Sequence, residues 1–225
     1  MNTSSQRESG RWLQALPASV LAVAVIGLAG CHTAGYQKSD VAAWNSEAAA
    51  AGVQAESREL EATLGALNEL VNQPAADAKP QFLRFSAALD RLVVSTKRAE
   101  HGVNRMWQKR AAYFQVWDKE IVALNDEEIR KRSQARKAEV SNQFDAASRQ
   151  HDEAQKGLQS LIDYLQDIRK ALSTDLTRQG LAAAQPSVTT ANENGRKVQT
   201  ALSQSAMELD ALGARTASFR VQEAK

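Results

Sequence analysis

The 225-residue chain has only one cysteine, few aromatic residues and little glycine or proline. A single cysteine has no partner for an intrachain disulfide, so no disulfide framework supports the fold. Aromatic residues account for 5% of the chain, with 11 glycines and 4 prolines, while alanine, glutamine, leucine and charged residues dominate. This composition favours helices and offers no clear strand.

The chain also lacks a strong excess of one charge. Its 28 basic and 26 acidic residues give a formal charge of +2. Removal of residues 1–30 takes away two arginines and one glutamate, which leaves 26 basic and 25 acidic residues, or +1. A generic nucleic-acid-binding protein would show a strongly basic face. We therefore expect no nucleic-acid partner.

Recognisable catalytic motifs are missing as well. The chain has no glycine-rich phosphate loop, no nucleophile elbow and no metal-ligand cluster. Of its three histidines, His101 and His151 should lie at a similar height on neighbouring helices, and the third is His32. His151 falls on an apolar face and His101 on an outer face. We expect no catalytic residue, no metal site and no enzymatic activity, because a narrow helical core leaves no substrate pocket.

The only long apolar run lies near the start of the chain. Arg7 and Arg11 precede an apolar stretch over residues 21–26, and small residues follow it. The run is shorter than the roughly 20 residues needed to cross a bilayer. This three-part pattern is typical of a secretory signal peptide that is removed after export. We predict a signal peptide at residues 1–30.

The end of this run, Leu28-Ala29-Gly30-Cys31, resembles the lipobox of bacterial lipoproteins. The resemblance implies cleavage before Cys31, a diacylglyceryl group on its sulfur and an acyl group such as palmitate on the new amino terminus. No other cofactor is expected. Several acyl chains anchor a protein durably, whereas a single chain holds only weakly. The alternative is an ordinary cleaved signal followed by a chance cysteine.

The residue after the cysteine bears on the location. By resemblance to enterobacterial sorting, an aspartate there would favour the inner membrane, whereas this chain has His32. The expected location is therefore the inner leaflet of the outer membrane, facing the periplasm. Residues 31–40 are small and polar, and we expect them to form a lipidated tether to one helical domain over residues 41–225.

Apolar residues recur at helical spacing through the rest of the chain. Val53 and Leu60 belong to one heptad row of a first helix, predicted over residues 40–73. A proline-containing break follows this helix. A second helix is predicted over residues 80–124, since a proline suits the first turn of a helix.

Capping patterns predict where the later helices begin. Asn125 and Glu128 have the spacing of a capping box, which would start a third helix. Thr177 offers the next N-cap. A fourth helix is predicted over residues 178–221. Pro186 would either start this helix or kink it, because an interior proline removes a backbone hydrogen bond.

Short connections between long helices favour antiparallel neighbours. The predicted fold class is therefore all-α, an elongated, coiled-coil-like antiparallel bundle of four helices with a narrow core. The stripe that should face this core from the third helix comprises Ile129, Val140, Phe144, Ala147, His151, Ala154, Leu158, Leu161, Leu165, Ile168 and Leu172. The alternative is a pair of long hairpins that dimerise into a homo-oligomer.

Several short stretches carry a family resemblance. They are Val116-Trp117-Asp118-Lys119-Glu120-Ile121, Ile129-Arg130, Ser133, Phe144-Asp145 and Leu172. In residue type and spacing they resemble an uncharacterised family of bacterial coiled-coil lipoproteins, known as a domain of unknown function. The resemblance spans most of the mature chain and implies a coiled-coil fold. It implies no particular activity.

An aromatic and basic end is predicted where the second and third helices meet. If the first two helices fold back near residue 77, then Trp44 is level with Arg110. Trp44, Trp107 and Trp117 would gather at the end nearest the anchor. Nine basic and five acidic residues lie between positions 105 and 137, an excess of +4. The basic residues include Arg130, Lys131 and Arg132.

The three tryptophans and these last three basic residues are predicted to contact an anionic membrane surface or a membrane-bound partner, since each basic residue there contributes about 1 kcal/mol. The alternative is that the aromatic residues fill a wide end of the core and water solvates the charges. The whole chain is expected to be a non-enzymatic envelope scaffold or docking surface for an unidentified envelope protein. A second hypothesis is a membrane-acting protein whose hairpins insert into or remodel a bilayer, although no segment after Cys31 is apolar enough to span one.

Overall fold

A computed structural model describes residues 35–218 of the chain. It contains four helices, α1 (Gly35–Asn72), α2 (Lys79–Ala123), α3 (Glu127–Thr174) and α4 (Arg178–Thr216). No strand occurs in this range, and the all-α prediction is confirmed. The described residues belong to the second of two compact units, Thr33–Lys225. The predicted signal peptide and lipobox lie outside them.

The four helices form an antiparallel bundle in which each helix lies beside the next and α4 returns to α1. Ion pairs between α1 and α2 give the direction. Glu69 pairs with Arg84, and Glu59 lies 3.3 Å from Arg91, so residue numbers fall along α1 as they rise along α2. The backbone of α1 packs closely on α2 and α4, whereas α2 and α3 form the loosest interface.

The predicted heptad rows form the core of this bundle. Val53, Leu60 and Leu67 are at most 1% exposed. The stripe of the third helix is buried from Val140 to Leu172, as predicted, but its first member is not. Ile129 is 57% exposed, because the first turns of α3 extend beyond the end of α4. Periodicity places a residue on a face but does not show whether a neighbouring helix covers that face.

Side-chain caps set the starts of α3 and α4. The Asp126 carboxylate accepts a 2.9 Å hydrogen bond from the backbone N–H of Ile129. The predicted capping box between Asn125 and Glu128 is therefore wrong by one residue. The last extended residue before the helix is Asp126, with φ −78° and ψ 125°, so its side chain is the one within reach. Thr177 caps α4 as predicted, accepting a 3.1 Å bond from the N–H three residues on.

We expect Asp126→Ala to lower the free energy of unfolding by about 1 kcal/mol, because the backbone N–H of Ile129 loses its acceptor. Asn125→Ala is the matched control and should stay within about 0.5 kcal/mol of the wild type. Urea unfolding followed by circular dichroism measures both. An equal loss in the two variants would contradict the cap at Asp126.

Helix α4 runs through Pro186 without a break. It begins at Arg178, so the proline lies inside the helix, on its exposed side. Proline cannot donate to the carbonyl four residues earlier, that of Ala182. Ala182 is also exposed, so water can satisfy the carbonyl group. Of the two predicted alternatives, a helix start at Pro186 is wrong, because α4 begins at Arg178, whereas the kink stays a prediction.

The start of α1 and the end of α4 both differ from prediction. Helix α4 ends at Thr216, five residues before the predicted end, because the next residue is extended. Ser218 then donates from its backbone N–H and its hydroxyl to the Asp40 carboxylate, at 2.8 and 2.9 Å. Helix α1 begins at Gly35, so part of the predicted tether is helical. The start of α1 and the end of α4 therefore lie side by side.

Candidate functional site

Small residues set the alignment of α1 with α2. A Cβ atom added to Gly52 would lie 3.5 Å from the Cα atom of Ala99, and one added to Gly102 would lie 4.0 Å from the Cα atom of Ala49. In this antiparallel register, the start of α1 at Gly35 is level with about Val116, seven residues before the end of α2. The last turns of α2 therefore have no part of α1 beside them.

The first turns of α3 likewise have no part of α4 beside them. A Cβ atom on Gly157 would lie 3.4 Å from the side chain of Val198, so the end of α4 at Thr216 faces roughly the thirteenth residue of α3. We define the hairpin tip as residues 117–138, the ends of α2 and α3 with their connection. At 1.5 Å per residue it extends about 10 Å past the start of α1 and about 18 Å past the end of α4.

Two side-chain hydrogen bonds hold the hairpin tip together. The indole N–H of Trp117 on α2 donates to the Ser133 hydroxyl on α3 at 2.9 Å. Arg130 donates to the Leu124 carbonyl oxygen in the connection at 2.6 Å. Ile121 is buried between the two helices. The tip is thus an ordered two-helix projection.

An aromatic cluster lies at the base of the tip, with neighbouring ring centroids between 5.3 and 6.3 Å apart. Its members are Trp107, Tyr113, Phe114, Trp117 and Phe144. Phe144 is fully buried and the other four are half-buried. These rings fill the space between α2 and α3, which is the structural alternative considered for them from sequence.

Arg110 completes this cluster. Its guanidinium carbon lies 5.0 Å from the ring centroid of Phe114 and 5.3 Å from that of Phe144. The same group bonds the Asp145 carboxylate at 2.8 Å and the Ser141 hydroxyl at 2.9 Å. Cation–π contact and charge pairing explain how a cation sits on the core side of α2. The sequence did not predict these contacts of Arg110.

The tryptophans do not all gather. Trp107 and Trp117 belong to the aromatic cluster, but Trp44 is 63% exposed and contacts none of its rings. The register puts Trp44 close to the predicted height on the bundle. Its side chain, however, points away from the core. The sequence correctly placed the three residues at one end but not on one surface.

The charge of the hairpin tip is nearly balanced, with six basic and five acidic residues, or +1. Its ion pairs join Arg130 to Glu127 at 2.8 Å, Lys131 to Glu127 at 3.7 Å and Lys137 to Asp118. Arg132 is exposed and forms no ion pair with a described residue. The predicted excess of +4 includes Arg105, Lys109 and Arg110, which lie on α2 outside the tip. Electrostatic attraction of the tip itself to an anionic surface is therefore small.

Apolar side chains of the tip face outward. Val122 is 81% exposed and Ile129 is 57% exposed. Beside Val122 a cleft of about 430 Å³ lies between α2 and α3, lined by apolar residues such as Phe114 and Ile121 and by the Asp118–Lys137 ion pair. Exposed apolar side chains beside a cleft are typical of protein-binding surfaces.

A polar layer crosses the core near the middle of α1. Glu56 is 0% exposed, and one of its oxygens accepts a 2.8 Å hydrogen bond from Gln155. The other oxygen has no partner among the described residues. Burial raises the pKa of Glu56 to about 7, against the smaller effect of its hydrogen bonds. Glu56 was not predicted to be buried, although its spacing from Val53 and Leu60 is that of the core row.

His151 and Ser205 form a second buried pair, with Nδ1 and Oγ 3.3 Å apart. Burial lowers the pKa of His151, while the carboxylates of Asp152 and Glu100 act in the opposite sense. A serine beside an imidazole can serve in nucleophilic catalysis. Both side chains are at most 4% exposed, and His151 also lines a cleft of about 370 Å³ with Glu100 and Asp152. His151 is on the apolar face and His101 is exposed, as predicted.

Within residues 35–218, no three histidine, cysteine or acidic side chains are grouped so as to hold a metal ion. None of the four described helices combines the length and apolar character needed to cross a membrane. The residues predicted for cleavage and lipidation are Leu28, Ala29, Gly30 and Cys31, all outside the described range. Cleavage and lipidation therefore stay predictions.

Comparison with protein-family models identifies the family of this chain. The family model described as "Protein of unknown function (DUF2959)" matches residues 29–213, which include nearly all of the four helices. No curated protein matches the chain, and no solved structure matches it. The resemblance to a domain of unknown function is confirmed, whereas the lipobox and the bacterial origin stay predictions. The chain belongs to the DUF2959 family, whose function is unknown.

Proposed function

We propose that this protein is a non-enzymatic lipoprotein of the bacterial envelope whose hairpin tip docks an envelope protein. Acyl chains on Cys31 would hold it in the inner leaflet of the outer membrane, facing the periplasm. The observation that carries the proposal is the position of the hairpin tip, which projects past two of the four helices with apolar side chains exposed.

The surface chemistry of the tip favours a protein partner over a lipid surface. Its charge is nearly balanced by internal ion pairs. Val122 offers an apolar anchor next to a cleft, and Ile129 offers a second one on the tip. Such anchors supply much of the free energy of protein association. The bonds from Trp117 to Ser133 and from Arg130 to the connection hold the tip in one shape. A preorganised surface loses less entropy on binding.

The non-enzymatic part of the proposal rests on the buried position of the reactive groups. His151 and Ser205 are at most 4% exposed, and Glu56 is 0% exposed. A catalytic group must come within hydrogen-bond reach of a substrate. The exposed surface of the described helices presents ion pairs and apolar side chains instead. A long helical surface of this kind suits a scaffold or docking role.

Photocrosslinking in living cells tests the docking surface. A photoreactive residue at position 122 is expected to give a discrete protein adduct, because Val122 is 81% exposed at the tip. The matched control is position 83, since Leu83 is 65% exposed on the same helix at the opposite end of the bundle. Cys31→Ala should remove the adduct by releasing the protein from the membrane.

Four outcomes would contradict the proposal. No protein adduct from position 122, or the same adduct from position 83, would exclude the tip as the docking surface. An adduct that persists in Cys31→Ala would show that docking does not need the anchor. Dye release from vesicles by the purified protein would favour the membrane-acting hypothesis instead.

A further inference from the structure

The first turns of α1 present an apolar face that no described helix covers. Trp44 is 63% exposed and Val41 is 42% exposed. Ala48 and Ala51 are also exposed. They follow Trp44 by four and seven residues, and Val41 precedes it by three, so all four lie on one side of the helix. This side points away from the bundle core.

Basic residues of α2 lie next to this apolar face. Gly102 packs against Ala49 of α1, which shows which side of α2 faces α1. Arg105 and Lys109 follow Gly102 by three and seven residues, so they are on that same side. Both are exposed, and neither forms an ion pair with a described residue. By the same register they lie level with Ser46 and Ala42, so their charges are on the α2 flank of the apolar face.

The acidic residues Asp40 and Glu47 border this face on its α4 side. Asp40 accepts hydrogen bonds from Ser218, beyond the end of α4. The Glu47 side chain lies against Gly213 of α4. Negative charge is therefore on the α4 side of α1, and positive charge is on the α2 side. An anionic surface is therefore attracted to the α2 flank of the face and repelled from its α4 flank.

We propose that the outer α1–α2 face rests in the headgroup layer of an anionic membrane. We define this face by Val41, Trp44, Ala48, Arg105 and Lys109. Tryptophan prefers the membrane–water interface, where its indole N–H stays hydrated and its rings meet acyl chains. The two basic residues would bind lipid phosphates. The hairpin tip, at the end of the bundle, stays free for a protein.

This inference rests on the proposed lipid anchor, which brings the face to the membrane. Cys31 precedes Gly35 by four residues, and four residues span at most about 14 Å even when fully extended. The acyl chains would therefore fix the start of α1 close to the bilayer. Contact of the face with the membrane then costs little additional entropy, because the anchor already holds the protein at the bilayer and raises the effective concentration of the face there.

Quenching of tryptophan fluorescence tests the contact. The lipidated protein, placed in vesicles of phosphatidylethanolamine and phosphatidylglycerol with brominated acyl chains, is expected to lose part of its emission. In Trp44→Phe this quenching should largely disappear, because Trp107 and Trp117 are in the aromatic cluster. Vesicles with unbrominated chains provide the baseline for both proteins.

A binding measurement tests the basic residues. The mature chain, made without lipid, should bind phosphatidylglycerol vesicles, and Arg105→Gln with Lys109→Gln should weaken this binding by about 25-fold. The matched control is Lys119→Gln with Arg132→Gln, which removes two exposed charges from the hairpin tip. This control should bind as the wild type does. Equal weakening in both double variants would overturn the assignment of the face.

The outcomes separate this inference from the lipid anchor. If the lipidated protein floats with vesicles but Trp44 is not quenched, the face does not touch lipid and the anchor stands. If mass spectrometry finds no lipid on the protein, the proposed anchor is wrong. The contact of the face with lipid is then tested on the unlipidated chain. Quenching of its Trp44 by anionic vesicles would support the face, and no quenching would overturn it. Crosslinking from position 44 to a protein rather than to lipid would also overturn it.

Discussion

Glu56→Gln is expected to raise the free energy of unfolding at pH 8 by at most about 3 kcal/mol. Glu56 is fully buried with one oxygen unpaired, and burial raises its pKa from 4.5 to about 7. At pH 8 the wild-type carboxyl group is ionised inside the core. Glutamine has a similar shape and no charge, so it resembles the protonated form and keeps an acceptor for Gln155.

The pH dependence has a definite sign. Between pH 4.5 and about 7 the folded chain retains the proton of Glu56, whereas the unfolded chain has lost it. Stability of the wild type should therefore fall as the pH rises through this window and level off above it. His151, whose pKa is lowered, contributes the opposite slope: stability is lost as the pH falls below 6.5. The Glu56→Gln variant should show only the slope of His151.

Urea unfolding at several pH values, followed by circular dichroism, measures this profile. Glu59→Gln is the matched control, because Glu59 is one turn further along α1 and pairs with Arg91 at the surface. Its effect should stay below about 1 kcal/mol and show no such window. If Glu56→Gln is no more stable than the wild type at pH 8, Glu56 is not a buried, ionised carboxyl group there.

Phe144→Ala is expected to lower the free energy of unfolding by about 3 to 5 kcal/mol. Phe144 is 0% exposed, and its ring centroid lies 6.0 Å from that of Trp107 and 5.9 Å from that of Phe114. Truncation would leave a cavity at the base of the hairpin tip. It would also remove one of the rings over which the guanidinium group of Arg110 lies.

Two further variants keep this prediction testable even if Phe144→Ala does not fold. Phe144→Leu retains most of the volume and should cost about 1 kcal/mol. Leu83→Ala, at a residue that is 65% exposed, should stay within about 0.5 kcal/mol of the wild type. Hydrogen exchange should also become faster in the hairpin tip of Phe144→Leu than in α1. A loss in Phe144→Ala no larger than in Leu83→Ala would contradict the role of the cluster.

Helix boundaries could be predicted only where local chemistry decides them. Thr177 caps α4 as predicted, because a cap depends on residues three apart in sequence. The start of α3 was wrong by one residue, since Asn125 and Asp126 are both good caps and the chain path selects one. Pro186 was ambiguous for a similar reason. Whether a proline ends a helix depends on whether solvent can satisfy the freed carbonyl group, as it does here at Ala182.

The candidate sites were less predictable than the helices. The sequence predicted that Trp107 and Trp117 lie near the same end of the bundle, but it did not predict the packing of Arg110 on Trp107, Phe114 and Phe144. Glu56 was not recognised at all, because a single glutamate in a helix is normally solvated. Its burial follows from four helices meeting at one height. The balance of charge in the hairpin tip likewise depends on pairs across α2 and α3, such as Lys137 with Asp118.

The sequence by itself determined the helical class, the order of the helices and the core rows such as Val53 and Leu60, because apolar periodicity is a property of each helix alone. It also predicted that the end of α2 lies beside the start of α3. Only the tertiary structure decided which residues remain uncovered. Ile129, Val122 and Trp44 are exposed because α1, α3 and α4 begin and end at different heights and pack in one particular rotation. Burial requires a neighbour at the same height, and no single helix specifies its neighbour.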